Sequence, residues 1–226
     1  MAEVKPGTFR TIGLLAISLT LIFYGFDNSK AWKAKWNYGI QGLQGKGPFP
    51  DNQSSITRCH LIYIGGLGLA IIGLLCLYHK DNFYGLLFCV MSTFFFNLFN
   101  ARISDTTLGN NSDYGRNTIT LNDKSESLRY FYLCTYLFWS VITLIFIINQ
   151  IKKGSFIIIG MLGFLFLFQL FLAIADGLEV KDREGFMKFV SVLSIVSGFC
   201  GFYYAIALVA NEGLGKDTLP TMDREN

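Results

Sequence analysis

The stretch that decides the fold runs from Ile64 to Asn97 and reads IGGLGLAIIGLLCLYHKDNFYGLLFCVMSTFFFN. Two apolar runs flank one short polar segment at residues 78–82. A helix in a soluble protein keeps a polar face, whereas both of these runs are apolar on every face. At about 1.5 Å per residue, each run extends roughly 26 Å, close to the hydrocarbon thickness of a bilayer. The pattern predicts a transmembrane hairpin, whose helices can approach closely at the glycines Gly65, Gly66, Gly68 and Gly73.

The composition of the whole chain agrees with a membrane protein. Of its 226 residues, 52% are hydrophobic and only 15% are charged, whereas a soluble domain has roughly 25% charged residues. The net charge of +3 is small, and the basic residues are scattered through the connections, which argues against a nucleic-acid partner. The chain shows no Ser/His/Asp set, Gly-rich phosphate loop or buried carboxylate pair. We therefore expect no enzyme, cofactor or metal site.

Six apolar segments are long enough to span a bilayer as helices, because backbone groups in lipid must be satisfied within their own segment. The sequence thus predicts an all-α integral membrane protein. Its single domain, residues 1–226, is a compact six-helix bundle with both termini on one side. The predicted spans are residues 11–26, 61–78, 83–99, 128–148, 156–175 and 186–209.

Two of the connections are long, at residues 27–60 and 100–127, and we expect both on the side opposite the termini. The first contains Trp32 and Trp36 among lysines, which fits either a short amphipathic segment at the interface or a loop with two aromatic anchors. The distribution of Lys and Arg leaves the orientation open. Within span five, Gln169 is a lone amide, and such a group usually bonds to a neighbouring helix.

Several segments together resemble the succinate–acetate permease family, also called the acetate uptake transporter family. The strongest part runs from Tyr203 to Pro220 and reads YYAIALVANEGLGKDTLP. It is similar to the last helix and tail of the family, with Asn-Glu, Gly-Lys and Leu-Pro in the family's order. The other parts are the hairpin glycines and phenylalanines, the run LFWSVITL at residues 137–144 and the run LFLAIA at residues 170–175.

The resemblance implies a six-helix protomer with a narrow pore along its own axis, assembled into a homo-oligomeric ring, commonly a hexamer. It implies transport of acetate, succinate and similar small carboxylates. The family's opening Asn-Pro-Ala-Pro-Leu-Gly-Leu motif falls on residues 8–14, where only Gly13 and Leu14 match. The pore positions fall on Ile17, Met91 and Leu165, with the hydroxyls of Thr20 and Ser92 nearby.

Two functions follow from this resemblance. The first is a membrane transporter or channel for small monocarboxylates, with Ile17, Thr20, Met91 and Leu165 along the pathway. The second is a transport-inactive permease homologue that serves as a structural accessory subunit of a larger complex, for example a mitochondrial inner-membrane respiratory assembly. In that case loops 27–60 and 100–127 would contact the other subunits. For either function, the membrane is expected to be the plasma membrane or the mitochondrial inner membrane. Arg10 either attracts anions at the pore mouth or anchors span one at the interface.

Overall fold

The computed structural model describes residues 6–28, 60–109, 126–177, 183–215 and 218–222. Within these ranges, six helical segments are long and apolar enough to cross a membrane, which confirms the predicted all-α architecture. The predicted interfacial segment with Trp32 and Trp36, and most of both long loops, lie outside the described residues. The helices are α1 (Pro6–Asn28), α2 (His60–Tyr78), α3 (Asn82–Gly109), α4 (Glu126–Lys153), α5 (Phe156–Gly177) and α6 (Arg183–Leu214).

Most helices extend beyond the predicted spans. Helix α3 continues to Gly109, and α4 begins at Glu126, so both ends of the predicted loop 100–127 are helical. Hydrophobicity marks only the part of a helix that lies in lipid, whereas the backbone hydrogen bonds continue until a residue ends them. Helix α6 ends at Leu214 because Gly215 adopts a φ of 63°, the left-handed conformation that commonly terminates helices.

The first half of α2 is a π-helix, from His60 to Gly68, and the second half is an α-helix from Leu69. In a π-helix the backbone bonds join residues five apart instead of four, and each carbonyl can still accept a second bond from a side chain. Here the Ser92 hydroxyl of α3 donates to the Gly66 carbonyl over 2.8 Å. Hydrophobicity alone predicts a helix at this position and cannot separate the two forms, since both satisfy the backbone within the segment.

The six helices form a ring in chain order. Helix α1 packs against α2 and α6, α2 against α3, and α5 against α4 and α6. Aromatic side chains close the ring between α3 and α4. The rings of Phe83 and Phe146 are 5.6 Å apart, and those of Phe94 and Trp139 are 6.1 Å apart. The bundle therefore has one central axis, surrounded by all six helices.

Small residues bring neighbouring backbones together. A Cβ on Gly73 of α2 would lie 2.9 Å from the backbone nitrogen of Cys89 in α3, so the hairpin requires glycine there. Gly65 and Gly66 instead lie against the rings of Phe95 and Phe96 of α3, whereas a Cβ on Gly68 would meet only its own helix. The close packing predicted for the hairpin glycines is thus present at three of the four.

Helix α6 is joined to both of its neighbours by glycine and serine. A Cβ on Gly198 would lie 2.7 Å from the Ser18 carbonyl oxygen of α1. The Ser194 hydroxyl donates to the Leu21 carbonyl of α1 over 2.7 Å, and the Ser197 hydroxyl donates to a carbonyl of α5 over 2.8 Å. These bonds satisfy buried hydroxyls and fix the rotation of α6 between α1 and α5.

The C-terminal tail folds back onto α6 through one amide side chain. Oδ1 of Asn211 accepts from the backbone N–H groups of Thr218 (2.9 Å) and Leu219 (2.8 Å). Its Nδ2 donates to the Leu219 carbonyl over 2.8 Å. Asn211 therefore pairs with the tail as a neighbouring backbone strand would, which gives the Asn and Leu-Pro parts of the tail motif a structural role.

Beyond this amide, the tail reaches the turn between α4 and α5. The Pro220 carbonyl accepts from the Tyr203 hydroxyl over 3.2 Å. The Met222 carbonyl accepts from the backbone N–H of Phe156, at the start of α5, over 3.1 Å. The tail thus joins the end of α6 to the α4–α5 turn on the side of the bundle where the chain ends.

Candidate functional site

The three predicted pore residues lie at the middle of their spans. Ile17, Met91 and Leu165 each fall within one residue of the midpoint of the apolar segment that carries them. Each has 0% of its surface exposed, and all three belong to one apolar cluster. A water-filled path along these side chains would leave some of their surface accessible. These three side chains are therefore sealed from solvent, and we refer to them as the constriction, after the role that the family resemblance predicts for them.

The two predicted hydroxyls near the constriction are already engaged. The Thr20 hydroxyl donates to the Ala16 carbonyl of its own helix over 2.7 Å, and the Ser92 hydroxyl donates to the Gly66 carbonyl. A hydroxyl has a single proton to donate. Neither group can therefore offer a hydrogen bond to an anion unless it first leaves its backbone partner.

A layer of aromatic rings lies one helical turn from the constriction, toward the side of the two long connections. Phe94 follows Met91 by one turn in α3, and Phe168 follows Leu165 by one turn in α5. The two rings meet edge to face at 6.2 Å. Trp139 of α4 packs on Phe94, and a tyrosine of α1 packs edge to face on Phe168 at 5.5 Å. This aromatic layer spans the bundle from α4 to α1.

A small polar group adjoins the aromatic layer between α4 and α5. The Thr143 hydroxyl lies 2.7 Å from Oε1 of Gln169, so the amide bonds to a neighbouring helix as the sequence predicted. Among the buried side-chain nitrogen and oxygen atoms that the structure describes, two lack a hydrogen-bond partner: Nε1 of Trp139 and Nε2 of Gln169. Sequence reasoning missed these unpaired donors, since the only signal was an indole and an amide in adjacent apolar spans.

An ion pair stands at the end of the bundle where the chain begins. Arg10 donates from Nε (3.1 Å) and Nη2 (2.9 Å) to Oδ2 of Asp81, in the turn between α2 and α3. The Arg10 guanidinium carbon also lies 4.4 Å from the centre of the Tyr84 ring, a cation–π contact. The arginine is therefore neither a free anion-attracting charge nor a simple interfacial anchor, because it binds α1 to the hairpin.

The two histidines lie at opposite ends of α2. His60 packs against Phe23 with ring centres 4.2 Å apart, and His79 stacks on Phe9 at 5.3 Å. Across the described ranges, no three His, Cys, Asp or Glu side chains come close enough together to hold a metal ion. Both histidines therefore pack against aromatic rings of α1.

Comparisons with known proteins agree with this architecture. The model of the GPR1/FUN34/yaaH family matches residues 52–222, which is more than half of the chain. Among solved structures, the bacterial acetate channel SatP has the same fold, with a TM-score of 0.67 and 19% sequence identity. The similarity covers 96% of this chain and 99% of that channel. No curated protein matches the sequence. The chain belongs to the GPR1/FUN34/yaaH family, the acetate permease family that its sequence resembles.

Proposed function

We propose that this chain is an integral membrane channel or transporter for small monocarboxylates such as acetate. The observation that carries the proposal is the bundle of six membrane-length helices, in which Ile17, Met91 and Leu165 are buried in one apolar cluster at the middle of their spans. Membership of an acetate permease family supports the substrate class, and the fold shared with a bacterial acetate channel supports the pathway along the axis.

The constriction explains how such a pathway stays closed at rest. A carboxylate stripped of water costs several kcal/mol unless it is hydrogen-bonded, and the constriction side chains offer no donor. Apolar constrictions also stop water and ions by dewetting. Conduction therefore requires Ile17, Met91 and Leu165 to move apart far enough for a hydrated or transiently paired carboxylate to pass. The size of these side chains then sets the rate.

The test is uptake of radiolabelled acetate into liposomes that contain the purified chain. We expect saturable uptake, and we expect Leu165→Ala to increase its rate several-fold because it removes bulk from the constriction. Leu74→Ala is the matched control, since Leu74 has 62% of its surface exposed on the outside of the ring. Thr20→Val should leave uptake unchanged, because the hydroxyl it removes serves only the Ala16 carbonyl.

A transport-inactive accessory subunit of a larger membrane complex is the second candidate. The observation that favours it is that Ile17, Met91 and Leu165 carry no hydrogen-bond donor in their side chains, while the nearby Thr20 and Ser92 hydroxyls donate to backbone carbonyls. Absence of uptake by folded, inserted protein would refute the transport proposal and leave this one.

The outer faces of the ring are suited to lipid and to further copies of the chain. On α2, Ile71 and Leu74 are about as exposed as Phe138 and Ile145 on α4. Apolar side chains on the outside of a membrane bundle contact acyl chains or other helices. A homo-oligomeric ring, as the family resemblance implies, would pack through such faces.

A further inference from the structure

Two buried N–H groups without partners stand between α4 and α5. Gln169 has none of its surface exposed and Trp139 has 8%. A polar group buried without a hydrogen bond costs free energy, and each such group in a folded protein calls for an explanation. The remaining buried hydroxyls described nearby, including those of Thr143 and Ser140, all have carbonyl or amide acceptors.

The orientation of the Gln169 amide follows from Thr143. The Thr143 hydroxyl lies 2.7 Å from Oε1 of Gln169 and 3.0 Å from the Trp139 carbonyl. Two oxygens 2.7 Å apart need a proton between them, and of this pair only the hydroxyl carries one, so the Thr143 hydroxyl donates to Oε1 of Gln169. The Thr143 hydroxyl thereby occupies the amide oxygen and leaves the amide nitrogen as the unpaired donor.

The chemistry of the two groups selects the ligand. Indole nitrogen only donates hydrogen bonds, and the free atom of the amide is also a donor. The two unpaired atoms offer a cation no acceptor, whereas a carboxylate has two oxygens that accept. Hydrogen bonds to an ionised acceptor are roughly twice as strong as those between neutral groups. Phe94 packs on Trp139, and Phe168 packs on Phe94, so the surroundings of the donors are aromatic and apolar. Such surroundings suit a carboxylate with a very short carbon chain.

The two donors adjoin the path along the axis. Phe168 precedes Gln169 in α5 and lies one turn from Leu165 of the constriction, and Phe94 contacts both Phe168 and Trp139. We propose, on the basis of the transport function proposed above, that Trp139 Nε1 and Gln169 Nε2 form a binding subsite for a small monocarboxylate one helical turn beyond the constriction. Thr143 is a positioning residue, because it orients the Gln169 amide, whereas the two nitrogens contact the ligand.

The experiment follows the indole N–H signal of Trp139 by nuclear magnetic resonance in detergent. The full chain is labelled with ¹⁵N-tryptophan, and loss of one signal in Trp139→Phe assigns it. Should that variant fail to fold, Trp32→Phe and Trp36→Phe assign the other two signals, and Trp139 follows by elimination. Sodium acetate is then titrated against sodium chloride at the same ionic strength.

We expect a saturable shift of the Trp139 signal with acetate and no saturable shift with chloride. Gln169→Met, which keeps the length of the side chain, should weaken the apparent acetate affinity about tenfold, the scale of one hydrogen bond to a charged group. Thr143→Val should weaken it in the same direction but less. Ser140→Ala is the matched control, because the Ser140 hydroxyl bonds only to the Leu137 carbonyl of its own helix and its loss should change nothing.

Each outcome separates the subsite from the transport function. A saturable acetate shift that Gln169→Met weakens supports the subsite, even if liposomes show no acetate uptake and the transport proposal fails. Uptake into liposomes without any acetate-dependent shift refutes the subsite and leaves transport standing, with water as the partner of both donors. Equal shifts with acetate and chloride, or equal affinities in Gln169→Met and Ser140→Ala, also refute the subsite.

Discussion

Asn211 is predicted to hold the C-terminal tail on the bundle, and its replacement tests the structural role of the tail motif. Asn211→Ala removes three hydrogen bonds at once, two accepted from backbone N–H groups and one donated to the Leu219 carbonyl. A typical hydrogen bond contributes about 1 kcal/mol net, and these bonds are partly exposed to water. We therefore expect a loss of about 2 kcal/mol of local stability, which corresponds to roughly thirtyfold more opening of the tail.

Hydrogen exchange measures this opening directly, because two of the lost bonds protect backbone amides. The amides of Thr218 and Leu219 should exchange roughly thirtyfold faster in Asn211→Ala, on the same energy scale. The exchange rates of amides in the middle of the spans should be unchanged, since the tail lies outside the bundle. Asn211→Asp keeps the accepting oxygen and loses only the donor, so its effect should lie between wild type and Asn211→Ala.

Tyr203→Phe provides the control for a single exposed tail contact. It removes one 3.2 Å bond to the Pro220 carbonyl and should speed exchange only a few-fold. Equal exchange rates for the Thr218 and Leu219 amides in Asn211→Ala and Tyr203→Phe would show that the amide does not clamp the tail. Faster exchange throughout the spans would show instead that the tail stabilises the whole bundle, and would refute a purely local role for Asn211.

Two further predictions concern packing between helices. Gly198→Ala places a Cβ against the Ser18 carbonyl and should cost about 1–3 kcal/mol of stability, seen as a lower unfolding temperature in detergent. Gly160→Ala is the control and should be neutral, because its Cβ would meet nothing within 4 Å. Equal losses of stability in the two variants would refute the close contact at Gly198. For Arg10 and Asp81, a double-mutant cycle with Arg10→Gln and Asp81→Asn should give a coupling of about 1 kcal/mol, since 36% of the arginine side chain remains exposed. Additive effects in that cycle would show that the pair contributes nothing to stability.

The membrane architecture could be predicted because it depends on local properties of the sequence. Runs such as the one from Ile64 to Tyr78 are apolar on every face, and a helix is the structure that satisfies all backbone groups of such a run within itself. The ends of the helices were less predictable. Helix α3 continues through polar residues to Gly109, and hydrogen bonding rather than hydrophobicity decides where it ends. The tail motif was recognisable by its spacing, but its spacing did not reveal that Asn211 pairs with backbone groups.

The candidate site could be predicted only in part. The resemblance predicted that Ile17, Met91 and Leu165 lie along the pathway, and in the structure all three are buried at the middle of their spans. The sequence also predicted that the Gln169 amide would meet a neighbouring helix. It could not show that the Thr20 hydroxyl bonds to its own helix, because a threonine in a helix can bond either to its own backbone or across to another helix.

The sequence by itself determined that six apolar segments are long enough to cross a membrane as helices and which family the chain resembles. Only the tertiary structure decided which polar groups are paired, such as Arg10 with Asp81, and which donors, on Trp139 and Gln169, are left unpaired. The physical reason is that helix formation in lipid is local, whereas a hydrogen bond between helices depends on the rotation and depth of both. Those are fixed by contacts between residues far apart in the chain, such as Gly198 on the Ser18 backbone.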